Sequence, residues 1–260
     1  MKIAIIGCGV IGSALARHFA QKHEVLLCDH TYEKSRRLAN EIQAKAYEHP
    51  QKAIEQAEMI VLAFKPKDLG NFANEMAYAF KPHHLLVSVL AGTSVALLQR
   101  YFPSPLIIRA MPNLPMVCGE GIIGFVKTAE LTPERRKRIE DVFQGLGLLT
   151  WLSEEHLEAL SAIAGSGPAF VFVMVEAMIE SGIMLGFSAE QARDFVLKTI
   201  EGSVALLKAT GKSPLEFKTQ VASPGGTTMA GLKVLEDSDI QGIIKKTYQS
   251  TFLRARELQK

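Results

Sequence analysis

Lys2-Ile-Ala-Ile-Ile-Gly-Cys-Gly-Val-Ile-Gly12 opens the chain and decides its fold. The apolar run Lys2–Ile6 is too short for a helix and suits a buried parallel strand. It leads straight into Gly7-Cys8-Gly9-Val10-Ile11-Gly12, a GxGxxG spacing, after which Ser13 to Lys22 reads as an amphipathic helix and Glu24 to Cys28 as a second strand. Three spaced glycines alone mark only a turn. The strand before them and the helix and strand after them are what specify a dinucleotide cradle. In that setting Gly7 makes the tight turn, Gly9 lets a pyrophosphate approach the backbone, and Gly12 allows close helix–strand packing. The helix start aims amide donors at the phosphates. Gly7, Gly9, Val10, Ile11 and Gly12 are therefore candidate cofactor contacts.

Asp29 ends the second strand, seventeen residues after Gly12. A carboxylate there accepts hydrogen bonds from adenosine ribose hydroxyls and repels a 2′-phosphate, which favours NADH. Lys34, Arg36 and Arg37 follow closely and are able to neutralise a 2′-phosphate, or to form the exposed face of a helix from Tyr32 to Ala44. NAD(P)H is the expected cofactor, with a lean towards NADH from Asp29.

Further strand-like runs at Met59–Phe64, Leu85–Leu90 and Pro105–Arg109 alternate with helical patterns at 50–57, 69–80 and 94–102. This alternation implies a right-handed, mostly parallel, doubly wound sheet. Ligands in such sheets collect beyond the carboxyl ends of the strands. That places Ala63-Phe-Lys65-Pro66, Ala91-Gly-Thr93 and Arg109-Ala-Met-Pro-Asn113-Leu-Pro115 in the crevice. Ala63, Lys65 and Pro66 are assigned to the cofactor and Asn113 to the substrate, although an exposed Lys65 also fits a plain surface position. Gly121–Val126, a helix from Thr132 to Gln144, and Leu148–Leu152 complete the domain as a β-α-β addition.

From Ser153 onward strand-like runs largely disappear, and helical patterns run 154–164, 168–185, 189–209, 214–221, 227–236 and 240–258. The fold class is α/β: a Rossmann-like domain over residues 1–152, followed by an all-helical substrate-binding and dimerisation domain over 153–260. Ala169-Phe-Val-Phe-Val-Met-Val-Glu-Ala-Met178 is apolar around nearly its whole circumference, so in water it must be buried on every side. About 105 residues can hardly enclose such a helix unaided, which predicts a helical dimer interface. A central helix inside a monomer is the alternative.

The totals narrow the partners. The 260 residues carry a net charge of +2, with 48% hydrophobic and 22% charged residues. That balance gives no reason to invoke nucleic acid or an anionic membrane. The basic run 135–138 follows Thr132-Pro133-Glu134 and reads as a solvated helix face. Cys8, Cys28 and Cys118 lack CxxC spacing, so no metal site is expected, and an odd count fits a reducing cytoplasm. No signal peptide is read at the N-terminus. The most apolar stretch, Pro168–Val175, is far below membrane-spanning length and is followed by Glu176 and Glu180.

The last motif is Val221-Ala-Ser-Pro-Gly-Gly-Thr-Thr228. Pro224-Gly225-Gly226 is able to expose consecutive amides, and Thr227 and Thr228 then occupy the cap and first turn of a helix. Judged alone this is either a capped turn or a carboxylate pocket. Together with "VLAFKP" (61–66), "SVLAGTSVALL" (88–98), "RAMPNLP" (109–115), "AGSGPAF" (164–170) and "LGFSAEQA" (185–192), it makes the chain resemble the pyrroline-5-carboxylate reductase family. The matching segments run from the first strand past residue 235, in family order.

The resemblance implies hydride transfer from NAD(P)H to the C=N carbon of 1-pyrroline-5-carboxylate, giving L-proline. It implies that Ser223, Gly225, Gly226, Thr227 and Thr228 form the substrate loop. Ser223 and Thr228 would be the catalytic pair, with Thr228 donating towards the imine nitrogen. It also implies a homodimer interlaced through the helical domain, and beyond it a ring of dimers. An imine nitrogen is more basic than a carbonyl oxygen, so positioning and one hydroxyl donor suffice, without a catalytic His, Lys or carboxylate. The seven histidines form no relay. Ala222, Phe170 and Leu114 depart from the family's usual Thr or Ser, Tyr and Thr, which implies altered affinity or substrate range. Three other readings stand beside this one. β-Hydroxyacid dehydrogenases share the plan but carry a Lys soon after the second glycine motif, whereas here the first Lys after Gly167 is Lys198. A reductase of another cyclic imino acid and a non-catalytic dinucleotide sensor complete the set.

Overall fold

The computed structural model describes residues 1–257 and divides the chain into two compact units, Met1–Gly165 with a short piece from Phe252 onward, and Ser166–Thr251. Leu258 and the chain end at Lys260, expected to close the last helix and domain, lie outside the described residues.

The first unit holds eight strands: β1 (Lys2–Ile6), β2 (Glu24–Cys28), β3 (Lys45–Ala46), β4 (Met59–Leu62), β5 (Leu85–Ser88), β6 (Leu106–Pro112), β7 (Gly121–Val126) and β8 (Gly147–Leu152). They form one sheet in the order β3-β2-β1-β4-β5-β6-β7-β8. The pairs from β3 to β6 are parallel, β7 runs antiparallel to β6, and β8 is parallel to β7. The order reverses between β1 and β4, and this switch point opens the crevice of a doubly wound sheet. The interleaved helices are α1 (Val10–Phe19), α2 (Tyr32–Ile42), α3 (Pro50–Gln56), α4 (Leu69–Met76), α5 (Val95–Tyr101), α6 (Pro133–Phe143) and α7 (Glu154–Leu160).

Alternate residues of β1 feed two cores. Ile3 and Ile5 join Leu15, Phe19, Phe125 and Phe143 on one face, while Ala4 and Ile6 join Ile60, Leu62, Phe80 and Phe102 on the other. Both faces are covered, which is why the central strands read as continuous apolar runs and not as alternating ones. Each fully buried Phe, Leu or Ile contributes about 1.5–3 kcal/mol. The basic run on α6 is indeed a solvated face, its charges paired as Arg136–Glu140, Lys137–Asp141 and Arg138–Glu58.

Three local features differ from the sequence reading. Helix α1 begins at Val10, not Ser13, because Gly12 lies inside the helix: a Cβ there would land on the Gly7 carbonyl. Strand β3 has only two residues, too few to leave a period in the sequence. Helix α7, read with the helical domain, lies against β7 and β8, so the compact first unit runs to Gly165, while the division at 152/153 stays a proposal. The side chains of Leu157 and Leu160 stand over Gly124, where a Cβ would meet the Leu157 side chain at 2.7 Å.

The second unit is helical: α8 (Gly167–Met184), α9 (Ala189–Thr210), α10 (Pro214–Val221), α11 (Thr227–Asp237) and the start of α12 (Ile240–Glu257). Ser188 and Ser213 start α9 and α10 with complete capping boxes to Gln191 and Glu216, and each box satisfies two amides that would otherwise lack partners. Helices α8 and α9 approach closely at Gly182, where a Cβ would come within 2.9 Å of the Ala192 Cβ.

Helix α8 is not the core of its own unit. Among its residues only Gly167 is buried, and Phe172 and Val173 are 59% and 65% exposed. The central-helix alternative therefore fails for the single chain. The apolar stretch is also longer than read. Through a π-turn at Ser161–Gly165, α7 and α8 form a continuous helix from Glu154 to Met184, with mean hydropathy 1.8 in its most apolar window. By length and composition alone it is sufficient to cross a membrane.

Candidate active site

In the first unit the glycine turn connects β1 to α1 at the switch point. Gly7 has φ +105°, and a Cβ would fall 2.6 Å from the Ala63 carbonyl carbon, so only glycine fits there. The Ala63 amide donates to the Ile6 carbonyl at 2.8 Å, which brings the end of β4 against the turn. Gly9 differs. Its φ of −74° suits any residue, and nothing lies within 4 Å of its missing Cβ. The protein does not need a glycine at this position for its own packing, whereas a pyrophosphate approaching the backbone does. The first bond inside α1 runs from the Ser13 amide to the Gly9 carbonyl at 2.8 Å. The amides before it form the open, partially positive end of the helix. Val10 is 69% exposed beside them.

We expect Gly9→Ala to leave the thermal unfolding midpoint unchanged or slightly raised, since the added methyl meets nothing and restricts the unfolded chain. Dinucleotide binding, read by titration of NADH fluorescence, should weaken by about tenfold or more. Unchanged binding would remove the open face of Gly9 from the cofactor site.

Asp29 stands at the end of β2, buried at 7% exposure, and its carboxylate is turned towards the protein. Oδ2 accepts the Cys8 amide at 2.7 Å and Oδ1 accepts the Thr31 amide at 2.9 Å. His30 Nδ1 lies 3.0 Å from Oδ1. The Cys8 thiol fills the core beside it, pushed up to about 12 by burial and then by the Asp29 charge, so it stays protonated. Lys65 and Pro66 follow β4 as the exposed start of a 3-10 turn, Pro66–Asp68. Thus Gly7, Gly9, Val10, Ile11, Gly12, Asp29 and Ala63 gather at the carboxyl ends of β1, β2 and β4, with Lys65 and Pro66 just beyond. A separate cavity of about 610 Å³ flanks the C-terminal half of α1, near Arg17, His18 and Gly145, and includes none of these residues.

Asn113, expected on the substrate, is buried and has both ends of its amide engaged. Nδ2 donates to the Ala164 carbonyl at 2.9 Å and Oδ1 accepts the Ile122 amide at 2.8 Å. Its side chain ties the end of β6 to β7 and to the π-turn. Arg109, on β6 and separated from its α7 partners by β7, α6 and β8, is the largest fully buried side chain among the described residues. Nη1 pairs with Glu154 Oε1 at 3.0 Å, and Nη2 pairs with Glu158. Glu154 also accepts the Val95 amide at 2.8 Å, so one carboxylate joins β6, α5 and α7. Neither network announces itself in the sequence. The glutamates on α7 look like an acidic first turn, and Arg109 looks like a strand end.

In the second unit the segment Ser223–Gly226 reverses the chain before α11. Gly225 has φ +73° and open space around it. The Gly226 amide donates to the Ser223 carbonyl at 3.0 Å, and a Cβ on Gly226 would press on the Ser223 hydroxyl at 2.6 Å. Gly226 is the N-cap of α11 and provides no side-chain cap. Elsewhere in the unit the hydroxyls of Thr199, Thr210, Thr219 and Thr247 bond back to the carbonyl four residues earlier. Thr227 and Thr228 stand in a first turn, where no such helical carbonyl precedes them. Phe170 packs edge-on against Tyr248 at 5.4 Å, and the Tyr248 hydroxyl stands beside Gly167. A phenol is thus present close to the start of α8 although position 170 lacks one.

A Rossmann sheet with an open glycine turn at its switch point defines a dinucleotide-binding domain. The family model described as "NADP oxidoreductase coenzyme F420-dependent" matches residues 2–92, and that described as "Pyrroline-5-carboxylate reductase dimerisation" matches residues 154–258. The pyrroline-5-carboxylate reductase of Aquifex aeolicus is 32% identical, over 99% of this chain and 97% of that protein. That of Synechocystis sp. is also 32% identical, over 100% and 99%. The crystal structure of Plasmodium falciparum pyrroline carboxylate reductase with NADP bound superposes with a TM-score of 0.91 at 25% identity, covering 100% of this chain and 98% of that one. The chain belongs to the pyrroline-5-carboxylate reductase family.

Proposed function

We propose that the chain reduces the C=N bond of 1-pyrroline-5-carboxylate to L-proline, using NAD(P)H, as a homodimer. The observation that carries this reading is the start of α11. A unit that starts α9 and α10 with full capping boxes leaves α11 to begin on a bare glycine, preceded by a second glycine in open space. Uncapped first-turn amides and free hydroxyls suit a small carboxylate. Gly225 and Thr227 supply amides for it, Gly226 leaves room for the Ser223 hydroxyl, Ser223 and Thr227 add hydroxyls, and Thr228 offers its hydroxyl to the ring nitrogen as proton donor.

The open face at Gly9 and the amides starting α1 fit a coenzyme pyrophosphate, with Val10, Ile11, Ala63, Lys65 and Pro66 at its edges. A bound reduced nicotinamide supplies the hydride for the imine carbon. The chain's own contribution is to hold the ring acid, fix its orientation and place a donor at nitrogen, which is where positioning gains most of its rate. The NADH lean rested on Asp29 accepting from the ribose and repelling a 2′-phosphate; two backbone amides weaken the first ground and leave the second. Both coenzymes are therefore proposed as donors. Asn113, which tethers β6 to β7, keeps a second amide hydrogen for its proposed role on the substrate. The uncovered apolar circumference of α8 and the match to a dimerisation model support a homodimer through the helical unit, and a ring of dimers remains the proposed larger assembly. A reducing cytoplasm remains the proposed compartment.

The test is oxidation of NADH and NADPH, in parallel, with pyrroline-5-carboxylate and with its six-membered homologue. Faster turnover of the five-membered ring is expected. Turnover of the larger ring alone would assign a related imino-acid reductase, and binding of coenzyme without turnover of either would leave a sensor.

A further inference from the structure

We propose that Asp29 is a positioning residue for the phosphate turn and does not read the adenosine ribose. The inference rests on the coenzyme assignment above and concerns how the cradle is held. Three bonds fix the turn. The Gly7 amide donates to the Cys28 carbonyl at 2.8 Å, the Cys8 amide to Asp29 Oδ2 at 2.7 Å, and the Ser13 hydroxyl to the Cys8 carbonyl at 3.0 Å. The Cys8 peptide is thereby gripped at both ends, and the next residue in the chain is Gly9, whose outer face is open. The second carboxylate oxygen takes the Thr31 amide at 2.9 Å, anchoring the residue that caps α2. A buried carboxylate with an amide on each oxygen has committed about half of its four lone-pair sites to the backbone, and those two bonds fix its orientation. It acts as a latch between the end of β2, the glycine turn and the start of α2. Reading of the ribose then falls to the exposed side chains just beyond, His30, Thr31 and Lys34.

The experiment measures dissociation constants of NADH, NADPH and ADP for the full-length protein and for Asp29→Asn, which keeps the shape and loses the charged acceptor for Cys8. A latch serves every ligand that uses the pyrophosphate cradle. All three constants should rise together by about tenfold or more, with the NADPH to NADH ratio unchanged within twofold. A ribose reader predicts a different pattern: NADH weakens alone, NADPH tightens as the 2′-phosphate loses a repelling neighbour, and the ratio moves by tenfold. That result overturns the proposal. Hydrogen exchange on the ligand-free wild type decides the matter even if the variant does not fold. A Cys8 amide protected before any coenzyme is added supports the latch, and one that exchanges freely overturns it. Failure of the wild type to bind either coenzyme would be a separate result and would sink the coenzyme assignment itself.

Discussion

Replacing Thr228 by Val should lower turnover by on the order of 10²-fold or more while the NADH dissociation constant stays within about twofold. The hydroxyl sits at the second position of α11, half-buried, in the first turn that Gly226 leaves uncapped. Valine keeps the branched shape, so the helix start and its amides persist and the carboxylate retains its backbone donors. What disappears is the one group offered to the ring nitrogen. The expected signature is a fall in kcat with KM for the imine little changed, the pattern of an interaction made chiefly in the transition state. Thr228→Ser should restore most of the rate because it returns the hydroxyl. Full activity of the valine variant, measured by NADH oxidation at saturating imine, would take Thr228 out of the mechanism.

The second large effect is on stability. Arg109→Met should cost about 3–5 kcal/mol, the usual penalty for removing one partner of a buried charge cluster. Arg109 is fully buried, and Glu158, at 6% side-chain exposure, has no route to water when the guanidinium is gone. Glu154 retains the Val95 amide and is more open, so most of the loss falls on Glu158. Equilibrium urea unfolding at fixed protein concentration reads the change. Arg109→Met combined with Glu158→Leu should recover a large part of it, because an apolar pair of similar volume avoids the stranded charge. A double variant no more stable than the single one would mean that the arginine serves packing and not charge balance.

Much of the first unit was legible because its signals are local. The β1 run, the glycine spacing and the β2 run each sit within one window of sequence, and the strands from β4 to β8 are bounded by turns. The apolar circumference of α8 was equally plain, and so was its need for a partner surface. What stayed hidden depends on side chains meeting across the fold. Cys8 and Asp29 are twenty-one positions apart, and Arg109 reaches glutamates forty-five or more positions away. No period or propensity encodes such a meeting. Asn113 was read as a substrate contact, and its bonds to Ala164 and Ile122 were not announced by any spacing. The π-turn was invisible because its residues, Ser161 to Gly165, read as ordinary continuation of α7.

Because β7 runs against β6 with Phe125 opposite Ala110, its carboxyl end at Val126 lies level with Arg109 and so with Ser88, the last residue of β5. In the link from there to α6, Lys127 to Thr132, Leu131 packs against the core while Ala129 and Glu130 stand exposed between elements. An exposed tip outside the strand ladders is the kind of place where an added segment is tolerated, so an appendage inserted at Ala129–Glu130 is expected to leave the sheet intact. An engineer wanting a handle on the enzyme would choose the same place.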